Sequence, residues 1–345
     1  MQVMKGTTQN SPEFPPKWIR VSSGTSAVLG LVRVRLDAAP TTAYFMTYRR
    51  GRCSANCGFC PQARESKSKA DMLSRVAWPV FETSIVLKSL EKAVTEKRIR
   101  RVCIQALNYP QVFTHLRNLV NAICKSLEVP ISVSCQPLNL KNVRQIAEAG
   151  AQRIGIPLDA ATEDVFDSVK GPLVKGPYEW TKQRVLLKGA VEVFGRGKVS
   201  THLIVGLGET ELEMVNAIQQ CVDMGVLPAL FAFTPVRGTA LEHVRQPSIQ
   251  AYRRLQIARY VIVHGLAQAR NMRFNPIGQI VEWGVAEKQL RRIVQTGKSF
   301  VTSGCPDCNR PYYNEKPSGP IFNFPKPLTA NELTKVKEEL AVTGE

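Results

Sequence analysis

Three cysteines stand close together in the segment RCSANCGFCPQAR (52–64), namely Cys53, Cys57 and Cys60. Their spacing is C-x3-C-x2-C, whereas zinc ribbons use two C-x2-C pairs and a structural zinc takes four ligands. Three thiolates suit a [4Fe–4S] cluster that keeps one iron open for a small molecule. The spacing therefore predicts such a cluster. The alternatives are a zinc knuckle and a chance grouping of buried thiols.

The elements that position these cysteines form a regular alternation of strands and helices from residue 41 onward. Apolar runs bounded by turn residues predict strands, and a 3.6-residue period between them predicts helices. The predicted strands are 41–48, 101–106, 131–136, 151–158, 198–208, 227–235, 270–276 and 298–304. Eight such units predict a (β/α)8 barrel of the TIM type, with a doubly wound open sheet as the alternative. VGLGET (205–210) lacks the G-x-G-x-x-G spacing, so a dinucleotide site is not favoured.

The chain of 345 residues divides into three predicted regions. Residues 1–40 are rich in proline and then mixed, and we expect them to form an N-terminal extension that packs on the core. Residues 41–304 form the predicted barrel. Residues 305–345 form a C-terminal extension that carries the pair Cys305 and Cys308.

In a barrel of this kind, chemistry takes place beyond the carboxyl ends of the strands. The first three cysteines follow the first predicted strand. Cys103, Cys135 and the Cys305/Cys308 pair lie at or after predicted strands two, three and eight, so we expect them at the same mouth. Four thiolates there could hold a second [4Fe–4S] cluster. The alternative is that Cys103 and Cys135 are small buried hydrophobic residues and the C-x2-C pair is a zinc knuckle.

The formal net charge of +18 predicts attraction to an acidic partner. The densest basic runs, 97–101 and 288–292, are not interleaved with aromatic residues, so an acidic protein is favoured over nucleic acid. No apolar run reaches the 18 residues that a membrane span needs. The N-terminal segment lacks the apolar core of a signal peptide, so we expect a cytoplasmic protein.

The octapeptide from Cys53 to Cys60, placed after the first predicted strand, resembles the signature of the radical S-adenosylmethionine (SAM) enzymes. The resemblance implies that the three cysteines ligate a [4Fe–4S] cluster whose fourth iron is chelated by SAM. One-electron reduction then cleaves SAM to methionine and a 5′-deoxyadenosyl radical that abstracts hydrogen from an unactivated carbon. It also implies that Phe59 lies near the adenine.

Several later segments resemble biotin synthase in order and position, among them 101–110, 132–139, 156–169, 202–210 and 235–241. By this resemblance Asp159 contacts the SAM ribose, and Ile204 and Gly206 line the adenine. It also implies that Cys103 and Cys135 belong to a sulfur-donating auxiliary cluster. The sequence departs from biotin synthase in having Ser200 at the third auxiliary cysteine and in the added Cys305/Cys308 pair. Arg273 aligns loosely with the buried arginine of that family.

The motif SANCGFCPQAR together with a terminal C-x2-C resembles the components of the split lipoyl synthases. This resemblance implies one of the two sulfur insertions that convert a protein-bound octanoyl-lysine into lipoyl-lysine in lipoate biosynthesis. The implied partners are an acidic lipoyl-carrier protein, a second synthase component and a one-electron reductant. The alternatives are another radical SAM reaction, a biotin synthase type of enzyme acting on a free small molecule, and a non-catalytic iron–sulfur protein that binds acidic partners.

A few further residues have other predicted roles. His202 is predicted to be a hydrogen-bonded residue of the barrel rather than a metal ligand. Asn108, Tyr109 and Gln136 lie beside the predicted cluster cysteines, where they could contact SAM or substrate. Cys124 and Cys221 fall on apolar faces of predicted helices and are expected in the core.

Overall fold

The structure of the protein is a computed structural model that describes residues 14–341. Its strands are β1 (Trp18–Val21), β2 (Thr42–Thr47), β3 (Met72–Leu73), β4 (Val76–Ala77), β5 (Val80–Glu82), β6 (Arg101–Gln105), β7 (Ile131–Ser134), β8 (Arg153–Gly155), β9 (Val199–Val205), β10 (Val226–Ala232), β11 (Arg273–Phe274) and β12 (Ile280–Glu282). Its α-helices are α1 (Ser23–Val28), α2 (Thr83–Thr95), α3 (Val112–Ser126), α4 (Leu140–Glu148), α5 (Glu163–Val169), α6 (Trp180–Phe194), α7 (Glu211–Asp223), α8 (Ile249–Val263), α9 (Glu287–Thr296) and α10 (Ala330–Ala341). Short 3-10 helices cover Pro172–Val174, Ala269–Asn271 and Lys298–Phe300.

One eight-stranded sheet organises the fold, in the order β10-β9-β8-β7-β6-β2-β1-β5. The six strands from β2 to β10 in this sheet are parallel, and at least one helix separates each from the next along the chain. This alternation confirms the predicted α/β class with a mainly parallel sheet. β1 pairs antiparallel with both β2 and β5 at the other edge.

The prediction of parallel strands is wrong for two of the eight segments. Segment 270–276 supplies only β11, which forms an antiparallel pair with β12 outside the main sheet. Segment 298–304 contains a 3-10 helix, followed by a single parallel bridge between Val301 and Phe324. Within residues 14–341 the hydrogen-bonded order of the sheet therefore starts at β10 and ends at β5, and six parallel strands replace the eight expected of a (β/α)8 barrel.

The chain returns late to the inner face of the sheet through residues 303–315, here called the closing segment. The Ser303 hydroxyl accepts a hydrogen bond from the Leu230 amide of β10 at 2.9 Å. At the other side, Asn309 accepts from the Thr41 amide, just before β2, at 3.0 Å. The closing segment therefore joins β10 to the start of β2, two strands that are not neighbours in the sheet.

The side chains of β6 alternate between two faces of the sheet, an apolar one covered by helices and a polar inner one. Val102 and Ile104 are fully buried in the main core, beneath the helices. Arg101 donates to the carbonyl of Pro306, and Gln105 faces the closing segment from the same side of the strand. Because side chains alternate along a strand, this inner face is where polar residues and thiols collect.

The ends of the described chain pack on this core. β1 makes residues 18–21 part of the main sheet, so the predicted N-terminal extension contributes a strand. At the other end, Glu339 of α10 accepts from Arg253 of α8 at 2.8 Å. The predicted region boundaries at residues 40 and 304 stay a prediction. In residues 14–341 no helix is both long enough and apolar enough to cross a membrane.

Candidate active site

A cavity of about 180 Å³ lies where the parallel strands end. Its walls come from the loop after β2, from the ends of β6 to β10 and from the closing segment. The predicted site residues that line it are Cys53, Cys57, Phe59, Cys60, Cys135, Asp159 and Ile204. Gly206, predicted to line the adenine, lies beyond the end of β9 and is not among the residues that line the cavity.

The cysteine loop that carries Cys53, Cys57 and Cys60 is held by hydrogen bonds to the segment after β6 and to the end of α5. The Asn108 amide, at the end of β6, donates to the Cys53 sulfur at 3.1 Å. The Gly58 amide donates to the Val169 carbonyl at 2.7 Å. An N–H group aimed at a cysteine sulfur is the kind of contact that tunes a bound iron–sulfur cluster.

The donor set fits a cluster by its chemistry, since three partly buried thiols open onto one cavity. Burial raises the pKa of Cys57 to about 12 and also raises that of Cys60. A raised pKa favours the neutral thiol, so metal binding at these cysteines must release protons. Nowhere in residues 14–341 do three or more His, Cys, Asp or Glu side chains already stand at metal-binding distances.

A second observation supports a polar ligand in the cavity. The Gln136 side chain donates to the Pro157 carbonyl at 2.9 Å, while its own amide oxygen is buried without a partner in the described chain. An unpaired buried acceptor is costly, and it is the group that would receive an amino or hydroxyl hydrogen of a bound ligand. The predicted role of Gln136 in contacting SAM is consistent with this position.

Asp159 stands in a conformation that the backbone rarely adopts. Its φ is 69°, in the left-handed region, and its backbone bridges to Leu203 of β9. The Asp159 amide donates to the His202 carbonyl at 2.8 Å, and its carbonyl accepts from the Ile204 amide at 2.9 Å. These bonds fix the carboxylate at the cavity wall, where an outlying backbone angle often marks a functional residue.

Lys170 is a cavity residue that sequence reasoning missed. Its ammonium donates to Asp159 Oδ2 at 2.7 Å and to the Pro157 carbonyl at 2.8 Å. The side chain is fully buried, and its charge lies 4.8 Å from the centroid of the Tyr178 ring. Apart from the position of Lys170 just after an amphipathic helix, the sequence contains no signal for this role.

A second thiol group lies on the inner face of the sheet, formed by Cys103, Cys305 and Cys308. Ser132 Oγ lies 3.4 Å from Cys305 Sγ, and the Tyr44 hydroxyl lies 3.4 Å from Cys308 Sγ. Burial raises the pKa of Cys103 to about 12, and the neighbouring sulfurs of Cys305 and Cys308 add to the rise. The structure therefore brings three of the four predicted auxiliary cysteines together.

The fourth predicted auxiliary cysteine, Cys135, lies apart from this group. Cys103 is in register with Ser132, and Cys135 comes three residues later, about 10 Å further along the strand direction. Cys135 instead lines the cavity described above, together with Cys53, Cys57 and Cys60. The expectation of a common mouth for all four is thus wrong, because Asp307, between the two C-terminal cysteines, contacts Thr41 at the amino end of β2.

Arg310 connects the two thiol groups, and sequence reasoning missed it as well. The Arg310 guanidinium carbon lies 3.8 Å from the centroid of the Tyr313 ring. When the Gln105 amide is oriented with its oxygen toward Arg310, that oxygen accepts two hydrogen bonds from the guanidinium, at 2.7 and 3.2 Å. Arg310 lines the cavity, and its positive charge lowers the pKa of Cys103. Arg273, aligned loosely with a buried arginine, is instead exposed on β11 and pairs with Glu282.

The remaining candidates divide between the cavity and the rest of the fold. Asn108 lines the cavity and donates to the Tyr178 hydroxyl, whereas Tyr109 bonds to His115 outside it. His202 lines the cavity and packs on Phe231, with ring centroids 4.8 Å apart. Burial lowers the pKa of His202 to about 4, and the charge of Arg310 contributes.

The two cysteines expected in the core differ. Cys221 of α7 is buried as predicted. Cys124 is exposed near the end of α3, so that prediction is wrong. Its sulfur lies beside the turn at Gly150 rather than under the helix, because α3 presents this position to the loop after α4.

Residues 49–221, half of the chain, match the family described as the Radical SAM superfamily. The chain belongs to the radical SAM superfamily. The matched range contains the cysteine loop, Asp159 and most of the parallel strands. The family implies a [4Fe–4S] cluster with SAM, and the three thiols that share the cavity are the residues of this chain that fit it.

Comparisons with individual proteins give one relative by sequence and solved structures with a similar fold. Biotin synthase of Magnetococcus marinus is 23% identical over 248 residues, covering 70% of this chain and 69% of that protein. Methylornithine synthase superposes with a TM-score of 0.50 at 13% identity, covering 70% of this chain and 67% of that chain. A maturase of the [FeFe]-hydrogenase reaches 0.51 at 12% identity over 65% of this chain. This chain spans about half the length of that maturase.

Proposed function

We propose that this chain is a radical SAM sulfurtransferase that carries out one of the two sulfur insertions on a protein-bound octanoyl-lysine. The observation that carries the proposal is the second thiol group, Cys103, Cys305 and Cys308, which lies on the inner face of the sheet and is linked through Arg310 to the cavity lined by the cysteine loop. When bound, the SAM cluster supplies the hydrogen-abstracting radical and an auxiliary cluster supplies the sulfur.

The residues of the chain provide the setting for that chemistry. Asp159, held by Lys170, offers a carboxylate to the hydroxyls of a bound nucleoside. Arg310 stands between the thiol groups, where a fixed cation stabilises anionic sulfur. The apolar rings of Phe231 and Phe59 line the cavity and help to exclude water from a reacting carbon.

Two features support a protein-bound acyl chain as substrate. The net charge of +18 complements an acidic carrier domain, which increases encounter rate and aids orientation. On the same side of the sheet as the strand ends, Arg50 is exposed three residues after β2, and Leu138 is 80% exposed two residues beyond Gln136. A second synthase component would add the other sulfur.

The test is mass spectrometry of an octanoyl-lysine carrier domain after anaerobic incubation with SAM and reductant. We expect a gain of one sulfur with this chain alone and of two when the second component is present. The matched control is Cys305→Ala/Cys308→Ala, which should still cleave SAM but transfer no sulfur. Binding of the carrier should weaken as salt rises.

Biotin synthase chemistry on a free small molecule is the second candidate, favoured by the Magnetococcus marinus relative. The same incubation with dethiobiotin distinguishes the two. Sulfur gained by dethiobiotin, with the carrier unmodified even when the second component is present, would replace the carrier proposal by this one.

A further inference from the structure

The second thiol group lies against a row of side chains that crosses three neighbouring strands. Tyr44 of β2 is in register with Cys103 of β6, and Cys103 is in register with Ser132 of β7. Side chains in register on adjacent strands project from the same face of the sheet. The sheet therefore supplies two hydroxyl groups to the inner face, one on each side of the Cys103 thiol.

Each of these hydroxyl groups meets one sulfur of the C-terminal cysteine pair. The Ser132 hydroxyl donates to Cys305 Sγ at 3.4 Å, and the Tyr44 hydroxyl lies 3.4 Å from Cys308 Sγ. Tyr44 and Ser132 are both 4% exposed, so little water competes for their hydroxyl groups. The pairing is one to one, with a separate hydroxyl for each of the two sulfurs.

Neighbouring donors fix the direction in which each hydroxyl proton points. The Arg101 guanidinium donates to Ser132 Oγ at 3.1 Å, and the Arg310 amide donates to the Tyr44 hydroxyl oxygen at 2.9 Å. A hydroxyl group has a single proton to donate, and an oxygen that accepts a hydrogen bond turns that proton away from the donor. Within residues 14–341 a cysteine sulfur is the other partner of each hydroxyl. A metal-bound thiolate can only accept, so both bonds then run from hydroxyl to sulfur.

The turn between the two cysteines is fastened to the same strands. Arg101, which is buried on β6, donates through Nε to the Pro306 carbonyl at 2.8 Å. The hydroxyl of Thr42 on β2 donates to the Asp307 carbonyl at 3.0 Å. The protein itself therefore holds each sulfur beside its hydroxyl, which is the kind of support that tunes a bound metal centre.

We propose that Tyr44 and Ser132 donate hydrogen bonds to the thiolates of the second cluster and raise its reduction potential. Hydrogen bonds to the sulfurs of an iron–sulfur cluster help to set its potential, because they stabilise the more negative, reduced state. The inference rests on the sulfur-donating cluster of the proposed function and does not depend on which molecule accepts the sulfur.

Electron counting gives the raised potential a role in sulfur insertion. A carbon radical brings one electron to the new carbon–sulfur bond, and sulfur supplies one electron of a lone pair. The second electron of that pair stays on the sulfur donor, so the carbon is oxidised and the donor is reduced by one electron. A donor with a higher potential takes up this electron more readily, and the two hydroxyl groups favour that outcome.

The experiment measures the potential of the second cluster alone. The background is the reconstituted 345-residue chain with all three cysteines of the cysteine loop replaced by alanine. In this background the parent is compared with Tyr44→Phe, with Ser132→Ala and with the double variant. The readouts are the iron content and an anaerobic redox titration followed by absorbance and by electron paramagnetic resonance.

Three further variants in the same background serve as matched controls. Tyr260→Phe and Ser126→Ala remove the same hydroxyl groups from α8 and α3, outside the second thiol group. Ser132→Thr keeps a hydroxyl beside Cys305. All three controls should titrate at the potential of the parent.

We expect about four irons in every variant, because the three thiols of the second group remain. Each single variant should lower the ratio of reduced to oxidised cluster at a fixed potential about tenfold, which corresponds to a shift of about 59 mV for one electron. The double variant should shift the potential further in the same direction.

Three results would overturn the inference, and they differ in what else they exclude. A double variant with the potential of the parent would exclude the tuning role and leave the proposed function standing. Loss of iron in Tyr44→Phe or Ser132→Ala would show that the hydroxyl is needed to hold the metal, and the role of donor would be wrong. A parent that binds no iron would exclude the second cluster, and with it the sulfur donor of the proposed function.

Discussion

Lys170 and Asp159 form a buried ion pair at the cavity wall, with 2.7 Å between Nζ and Oδ2. The lysine side chain is fully buried and that of Asp159 is 10% exposed. Lys170 also lowers the pKa of Cys57 by its charge, against the larger effect of burial. One cation therefore orients the carboxylate expected at the SAM ribose and favours the thiolate form of a predicted cluster ligand.

Replacing Lys170 should cost both stability and ligand binding. Lys170→Met leaves the Asp159 carboxylate buried without its partner, and breaking such a pair typically costs about 3 to 5 kcal/mol. We expect a loss of about 3 kcal/mol in the free energy of unfolding by urea titration, together with weaker SAM binding by calorimetry.

The control for this variant is Lys188→Met, an exposed lysine on α6, which should change stability by less than about 0.5 kcal/mol. Lys170→Met/Asp159→Asn should regain part of the lost stability, since it removes the uncompensated charge. A fully stable Lys170→Met variant that binds SAM normally would contradict the assigned role.

The sequence predicted the part of the fold that local pattern determines. The boundaries of predicted strands 101–106 and 227–235 and of predicted helix 249–265 lie within three residues of the observed ones. The error at 270–276 has a physical cause, because β-propensity reflects packing against partners that the sequence does not show. There the chain turns back at Gly278 to pair with its own next residues instead of joining the sheet.

The site was predictable as far as spacing determined it, and no further. Cys53, Cys57 and Cys60 share one cavity as expected. Lys170 and Arg310 were missed because basic residues are normally exposed, and only tertiary structure shows that Lys170 is fully buried and Arg310 half-buried. The difference between Cys103 and Cys135 depends on strand register, which a sequence pattern does not determine.

The cysteine loop should be essential for SAM cleavage. Replacing Cys53, Cys57 and Cys60 together by alanine removes the thiolates that the [4Fe–4S] cluster needs, so reductive formation of 5′-deoxyadenosine should fall to background. Chromatography of anaerobic reactions measures the product. Cys124→Ala, at an exposed cysteine far from the cavity, is the control. Product made by the triple variant at the wild-type rate would exclude the cluster assignment.

Iron analysis should show whether Cys103 on β6 or Cys135 after β7 is a ligand of the second cluster. Wild-type protein with two [4Fe–4S] clusters should bind about eight irons. Cys103→Ala should lose about half of them, as should Cys305→Ala/Cys308→Ala, because these three thiols share one site. Cys135→Ala should retain the auxiliary iron. If iron is lost when Cys135 is replaced and kept when Cys103 is replaced, the second cluster lies instead at the cavity that Cys135 lines.

Acid should destabilise the protein partly through His202. Its pKa is lowered to about 4 by burial, while an unfolded histidine titrates near 6.5, so the folded state binds this proton less readily. The stabilising effect of neutral His202 is complete above pH 6.5 and is lost as pH falls toward 4. This loss amounts to at most about 3 kcal/mol.

Urea titrations at pH 7 and pH 5 measure this contribution. His202→Gln should lose less stability between the two pH values than wild type does. His243→Gln, at a histidine whose side chain is 92% exposed, should show the wild-type difference. Identical pH dependence for His202→Gln and wild type would mean that His202 does not titrate in this range.

The closing segment has a consequence for the order in which the protein matures. Tyr313 and Asn314, which complete the cavity wall, are synthesised about 250 residues after the cysteine loop that they face. During translation the strands β2 to β10 emerge first, and the thiol loop stays open to the medium until the closing segment leaves the ribosome. Iron delivered to Cys53, Cys57 and Cys60 before that moment meets an accessible loop. Iron delivered afterwards must enter through the mouth or behind Cys57 and Cys60.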